Sequence, residues 1–242
     1  MHQADAHTEA GADDAAPADA MGTEDTLELR LTEELLALLG DDRRTAGGPA
    51  DASALVGSPG AWNPVTTPAG PFQLVPVELE RDLAVISRWM NDPAVAAFWE
   101  LAGPESVTAD HLRAQLEGDG RSIPCLGVLG GTPMSYWEIY RADLDPLARH
   151  YPARPHDTGI HLLIGGVGNR GRGIGSVLLR AVADLVLDNR PLCARVVAEP
   201  DLRNTPSVSA FLSAGFRFCA EVELPDKRAA LMIRDRAHRD HL

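Results

Sequence analysis

The stretch IGGVGNRGRGIGSVLL, residues 164–179, passes from an apolar strand pattern through a run crowded with glycine into an apolar helix pattern. Turning a strand into a helix needs only one or two residues of unusual backbone freedom. The excess points to something outside the chain that must approach the backbone at the helix start. There the unpaired N–H groups and the helix dipole favour an anion. Three phosphate-binding patterns compete for Arg170-Gly171-Arg172-Gly173-Ile174-Gly175. A Walker A loop needs a Gly-Lys-Ser/Thr ending, which is absent. A dinucleotide fingerprint needs an early β-α-β unit and another glycine register, whereas this loop comes late and after a hairpin pattern. The third pattern, Arg/Gln-x-x-Gly-x-Gly/Ala between a strand and a helix, fits, and a pyrophosphate is the group it grips.

The flanking sequence sets that loop in a mixed α/β domain. A strand is expected over about 72–79, then a helical stretch broken at the Asp92-Pro93 step. A further helix has Thr108 as its candidate N-cap and Gly118 past its end. Two strands around the Gly130-Gly131 pair read as a hairpin, and DTGIHLLIG is the strand that feeds the loop. The helix over 173–189 shows an apolar stripe of Ile174, Val177, Leu178, Ala181, Val182 and Leu185. LCARVVAE reads as a buried strand. NTPSVSAFLSAGF reads as a helix with Asn204 as N-cap and Gly215 just past its end. The last two strands are expected to pair.

The rest of the chain adds exclusions. Residues 1–30 carry eight acids and one arginine, so more than half of the net charge of −13 sits there. An Ala/Asp-rich segment of this kind cannot bury enough apolar surface to order itself. The expected organisation is a disordered acidic tail over 1–22 and a short helix (about 24–39) with a Gly/Pro-rich linker over 23–70. The domain itself follows over 71–242. Nothing resembles a basic stripe, so nucleic acid is not an expected partner. No apolar run approaches the ~18 residues of a membrane span, and the N-terminus lacks the pattern of a signal peptide. A cytoplasmic protein is expected, with Cys125, Cys193 and Cys219 as buried thiols inside strands and no metal site.

The glycine loop together with the arrangement from Asn204 to Phe216, an aromatic seven residues after the asparagine (Phe211) and then x3-Gly-Phe, resembles the GNAT family of acyl-CoA N-acyltransferases, over roughly residues 72–236. The segments RWMNDPAVAAFWE, YWEIY, DTGIHLLIG and AEPDLRNTPS are similar to the siderophore N-acyltransferases. Members of that group serve mycobactin synthesis as lysine N-acyltransferases and aerobactin synthesis as N-hydroxylysine acetyltransferases. One departure is Ala94, where such proteins often carry histidine. The resemblance implies a GNAT fold, with a central, mostly antiparallel sheet flanked by helices. It implies acyl-CoA, acetyl-CoA foremost, or an acyl carrier protein as donor. The implied acceptor is a small-molecule amine or hydroxylamine: the side-chain nitrogen of lysine, N-hydroxylysine or a related diamine.

Attack on a thioester requires a neutral amine, so a base, an oxyanion site and a route for the thiolate are needed. Glu199, at the end of a buried strand before Pro200, suits the base, and the resemblance assigns that role to this position. The alternative is an acid capping the next turn, for which Asp201 is better placed. His161 has a catalytic or positioning part by the same resemblance; alternatively it is a hydrogen-bonded core residue, with Asp157 as a candidate to orient it. Phe211 stands where many members carry a tyrosine that protonates sulfur. Arg170 to Gly175 and Asn204 are expected to bind the cofactor. Tyr136, Glu138 and Tyr140, alternating onto one strand face, can hold the cationic part of an acceptor, with Asp157 as a further contact. Trp89 and Trp99 are read either as pocket floor or as core. Two rivals remain open: an aminoglycoside-type N-acetyltransferase, and a non-catalytic acyl-CoA-binding module.

Overall fold

The computed structural model describes residues 56–239. The expected acidic tail, the helix over 24–39 and residues 41–55 of the linker lie outside the described residues. Eight strands form one sheet in the order β1-β2-β3-β4-β5-β6-β8-β7. They are β1 (Val65–Thr67), β2 (Gly70–Pro76), β3 (Ser122–Leu129), β4 (Thr132–Arg141), β5 (Thr158–Ile164), β6 (Arg195–Ala198), β7 (Arg217–Glu223) and β8 (Arg228–Asp235). Residues 65–70 are therefore not linker: β1 and β2 close a tight antiparallel hairpin at Thr67↔Gly70. Gly70 takes φ +125°, a backbone angle that residues with a Cβ avoid.

Among the described residues, five α-helices cover the two faces: α1 (Leu79–Met90), α2 (Pro93–Trp99), α3 (Glu105–Leu116), α4 (Ile174–Asn189) and α5 (Thr205–Ser213). The break expected at Asp92-Pro93 separates α1 from α2, and the Asp92 side chain caps α2 by accepting from Ala94 N–H. Helix α3 starts one turn before Thr108; its N-cap is Pro104, and Thr108 is buried within the helix. The sequence signal that won is Pro104 itself, whose fixed φ sets the chain before the first turn. Gly130 and Gly131 have φ +56° and +79°, the pair of left-handed angles that a two-residue hairpin needs.

Side-chain alternation sorts the core onto the two faces. Trp137, Ile139, Ile160, Val196 and Met232 pack with Leu178, Leu179 and Val182 of α4 and Phe211 of α5. Tyr136, Leu126 and Leu163 face the other way, against Ile86, Trp89, Met90 and Leu112 of α1 and α3. Each leucine fully buried in this way contributes about 1.5–3 kcal/mol. Cys125 and Cys193 are buried as expected, although Cys193 lies just ahead of β6; Cys219 is exposed, because it sits on the edge strand β7. Among the described residues, no helix is long and apolar enough to cross a membrane.

Every neighbouring pair of strands is antiparallel except β5 and β6, which run parallel. Their ladder has only two rungs, Thr158↔Val196 and Gly159↔Val197, and then the strands part. The separation interrupts the sheet and opens its middle. The site described next lies there.

Candidate active site

A cavity of about 270 Å³ occupies this opening. Ile160, His161 and Leu162 of β5 form one wall, and Ala198, Glu199 and Pro200 at the end of β6 form the other. Because the cavity passes through the sheet, it touches both helical layers. Trp99 and His111 line it from α2 and α3, while Asn204, Ser207 and Phe211 line it from α5. Two reactants can thus meet in it from opposite faces.

At its centre stands an ion-paired chain of side chains. His161 faces Glu138 Oε2 through Nδ1 at 2.9 Å and Glu199 Oε1 through Nε2 at 2.5 Å. Ionised carboxylates only accept hydrogen bonds, so both ring nitrogens donate and the ring is an imidazolium. Burial disfavours that charge, but the Glu199 and Glu138 carboxylates outweigh it and raise the His161 pKa to about 10. Burial also works against the Glu199 charge. His161, Lys227 and the Tyr140 hydroxyl overcome it and hold Glu199 at about 2. Glu138 is lowered further still: His111 and His161 more than offset its burial.

The strand register explains why these residues meet. Glu138 of β4 lies directly opposite His161 of β5. Two residues along on the same face, Tyr140 lies opposite Gly159. A Cβ on Gly159 would stand 2.0 Å from the Tyr140 ring, so only glycine lets that ring lie across β5. The tyrosine hydroxyl thereby reaches Glu199 Oε2 at 2.8 Å. Glu199 itself is fixed by the continuation of β6 along β8, where Ala230 N–H donates to Pro200 O.

This geometry revises several expectations. Tyr136, Glu138 and Tyr140 share a face as expected, but their polar groups are already engaged within the chain. Glu138 Oε1 accepts from His111 Nε2 (2.6 Å), Gln115 Nε2 (2.7 Å) and the Tyr136 hydroxyl (2.9 Å). These residues therefore hold His161 and Glu199 in place; they are not open acceptor contacts. Asp157 does not orient His161. It is fully buried, away from the cavity, and binds both Arg195 Nε (3.0 Å) and Arg195 Nη2, with Tyr151 and the Arg154 N–H as further donors. The reason is strand direction: Asp157 precedes β5 on the side away from the opening. Asp201 binds Arg203 and leaves Glu199 free of a capping role. Trp99 lines the cavity, whereas Trp89 is core and fills the space that a Gly165 side chain would take. His111, Gln115 and Lys227 are site residues that the sequence reading missed. No motif marks them; only the packing of α3 and the β7–β8 hairpin brings them in.

The glycine loop follows β5 directly. Gly166, Gly171 and Gly173 take φ of +61°, +70° and +76°. Gly175, in the first turn of α4, needs no such angle, and a Cβ there would meet only Ile164 at 3.9 Å. Glycine in a helix costs about 1 kcal/mol relative to alanine, and nothing within the chain requires it here. The Arg170 side chain turns inward: its Nε donates to Ile164 O and its Nη1 to Asp92, tying the loop to the α1–α2 junction. Asn204 caps α5, accepting from Ser207 N–H at 3.2 Å, and lines the cavity. Phe211 is buried edge-on against Phe216 and offers no proton. Among the described residues, no group of His, Cys, Asp and Glu could hold a metal ion.

A profile of the acetyltransferase (GNAT) domain matches residues 78–224. The chain is 36% identical over 177 residues to the lysine N-acyltransferase MbtK of Mycobacterium sp. (strain MCS), covering 73% of this chain and 72% of that one. It is 37% identical over 157 residues to an Escherichia coli N(6)-hydroxylysine O-acetyltransferase, covering 65% of this chain and 50% of the other. A solved structure of AAC(6')-Ib with ribostamycin and coenzyme A superposes with a TM-score of 0.59 at 25% identity. That match covers 69% of this chain and 94% of the other.

Proposed function

The chain belongs to the GNAT acetyltransferases and is an acyltransferase, and we propose that it moves an acyl group from acyl-CoA to the side-chain nitrogen of lysine or N-hydroxylysine in siderophore synthesis. The observation that carries this reading is the Glu138–His161–Glu199 chain at the point where the sheet opens. The negative charge of the two buried carboxylates favours a cationic amine in the cavity. Once His161 has given up its own proton, Glu199 and His161 together can take up that of the amine. The MbtK relative supports a lysine-type acceptor. The cavity, at about 270 Å³, falls just below the ~300–1,000 Å³ usual for ligand pockets, in keeping with an acceptor of amino-acid size.

In this reading the donor and acceptor use opposite faces. The pyrophosphate of CoA sits on the N–H groups at the start of α4, over Gly171 to Gly175, where the helix dipole favours it. The thioester arm runs past Asn204 and Phe211 into the opening between β5 and β6. Past Gly159 the edge of β5 has no strand partner, and its backbone N–H groups are available to the carbonyl oxygen as charge develops on it. The acceptor nitrogen arrives from the side of Trp99 and His111.

Proton transfer follows from the resting state of the site. A carboxylate held at about 2 is a weak base by itself. Glu199 and His161 act as one acceptor, and the working form is the one with neutral His161. An ammonium entering beside the same two carboxylates competes with the imidazolium for their charge and lowers the proton affinity of His161. The amine proton passes to Glu199 and His161, and the neutral nitrogen attacks the carbonyl carbon. With Phe211 in the tyrosine position, the departing thiolate takes its proton from the product amine or from water. The test is a panel of acyl-CoAs against lysine, N-hydroxylysine, cadaverine and N-hydroxycadaverine, read by mass spectrometry. Acylation of the lysine-type acceptors is expected, and transfer to none of the four refutes the reading.

A further inference from the structure

Lys227 is the only lysine in a sequence that carries 21 arginines. Every other Lys/Arg ion pair described in the molecule is made by arginine. The single exception lies in the cavity, where Lys227 Nζ stands 3.6 Å from Glu199 Oε1. That is the same oxygen that His161 Nε2 approaches at 2.5 Å. The chain thus places its one primary amine on a side chain where the proposed acceptor nitrogen must come.

The placement is built into the fold. Lys227 closes the turn between β7 and β8, with its carbonyl accepting from Leu224 N–H. The next residues pair with the segment that carries Glu199: Leu202 N–H donates to Arg228 O and Ala230 N–H donates to Pro200 O. These bonds hold the root of the lysine beside the end of β6. A guanidinium at this point would supply the same charge but keeps its proton in proteins. An ammonium can give one up and become a nucleophile.

We propose that Lys227 is a self-acylation site: in the absence of a free acceptor, the chain transfers the acyl group of a bound acyl-CoA to Lys227 Nζ. This rests on the acyl-transfer reading above and extends it to an acceptor within the chain. The ammonium gives one proton to Glu199 and His161. The nitrogen lone pair forms a C–N bond to the thioester carbon, and the C–S bond breaks. The nitrogen loses a second proton to become an amide, and the thiolate takes up one. The net change is acyl-CoA and ammonium to amide, free CoA thiol and one proton. The product has lost the cation beside Glu199 and fills acceptor space, so it cannot also serve a free acceptor.

The experiment incubates the full chain with acetyl-CoA and, separately, with a long-chain acyl-CoA, without acceptor. Intact mass and peptide mapping then follow the modification. The expected result is one acyl group per chain, on Lys227, gained at a rate that does not depend on protein concentration. The heat-denatured chain should not show it, nor should a Lys227→Arg variant whose unfolding transition shows that it is folded. Glu199→Gln should slow the reaction by about 10²–10⁴-fold, and free lysine should slow it by competition. Acylation of free lysine with Lys227 left unmodified overturns self-acylation while leaving the acceptor reading intact. Modified Lys227 with no turnover of any free acceptor supports self-acylation and counts against that reading. No mass gain with either acyl-CoA overturns the proposal whatever the acceptor assays give.

Discussion

Replacing Gly175 by valine separates what the loop does for the fold from what it does for a ligand. The position has ordinary helical geometry, and the nearest atom to an added Cβ is Ile164 Cγ1 at 3.9 Å. No clash opposes the larger residue, and valine in a helix is roughly 0.3 kcal/mol better than glycine. For a chain of this size, 1 kcal/mol corresponds to about 2–4 °C in Tm, so the change should stay within about 2 °C. Ligand binding should behave differently. A branched side chain at the start of α4 keeps a pyrophosphate away from the backbone and removes at least one charge-assisted hydrogen bond, worth about 1.5–3 kcal/mol. The expected loss of CoA affinity is about ten- to a hundredfold. Scanning calorimetry without ligand and titration calorimetry with CoA measure the two effects on one preparation. Unchanged CoA affinity in the folded variant would refute the loop as the pyrophosphate site.

Three further outcomes are expected. Tyr140→Phe removes one donor from buried Glu199 and should raise that carboxyl's pKa, so the acid loss of stability in urea denaturation should begin at a higher pH than in wild type; an unmoved acid limb of stability would mean that Glu199 is not the titrating group. Because the His161 pKa is raised to about 10, its contribution to stability is full below about 6.5 and is lost as pH rises through about 10, whereas that of Glu199, held at about 2, is lost as pH falls from about 4.5 through 2. The stability difference between wild type and His161→Gln, measured by urea denaturation across pH, should therefore shrink in alkali. Asp157→Asn breaks a buried ion pair with Arg195 and should cost about 3–5 kcal/mol of stability; a loss of turnover at unchanged stability would restore Asp157 to the active site.

How much of this was legible beforehand depends on whether the cause was local. The glycine loop, the Asn204 cap, the broken helix at Asp92-Pro93 and the Gly130-Gly131 hairpin all depend on nearby residues, and each lies where the pattern put it. Glu199 and His161 were found through strand ends and a resemblance, and the structure joins them. What failed was non-local. Asp157 is four residues from His161, but strand direction sends it to Arg195, a partner 38 residues away. Glu138 offers a free-looking carboxylate in sequence, yet α3 folds over it and fills its oxygens with His111 and Gln115. Lys227 carries no motif, and it enters the cavity only because β8 pairs with both β6 and β7. The hairpin at 65–70 was read as linker because Pro and Gly are as common in tight turns as in loose segments.

The most direct test of the acyl-transfer account is kcat/KM against pH for wild type and Glu199→Gln, with lysine and N-hydroxylysine as acceptors and acetyl-CoA as donor. The account expects the variant to lose about 10²–10⁴-fold with lysine at pH 7. That defect should narrow as pH rises and more of the amine is already neutral. It should be smaller throughout with N-hydroxylysine, whose nitrogen is far less basic. CoA affinity should be unchanged, since the loop at Gly171 to Gly175 is separate. A near-wild-type rate for Glu199→Gln at pH 7 with both acceptors would contradict the account.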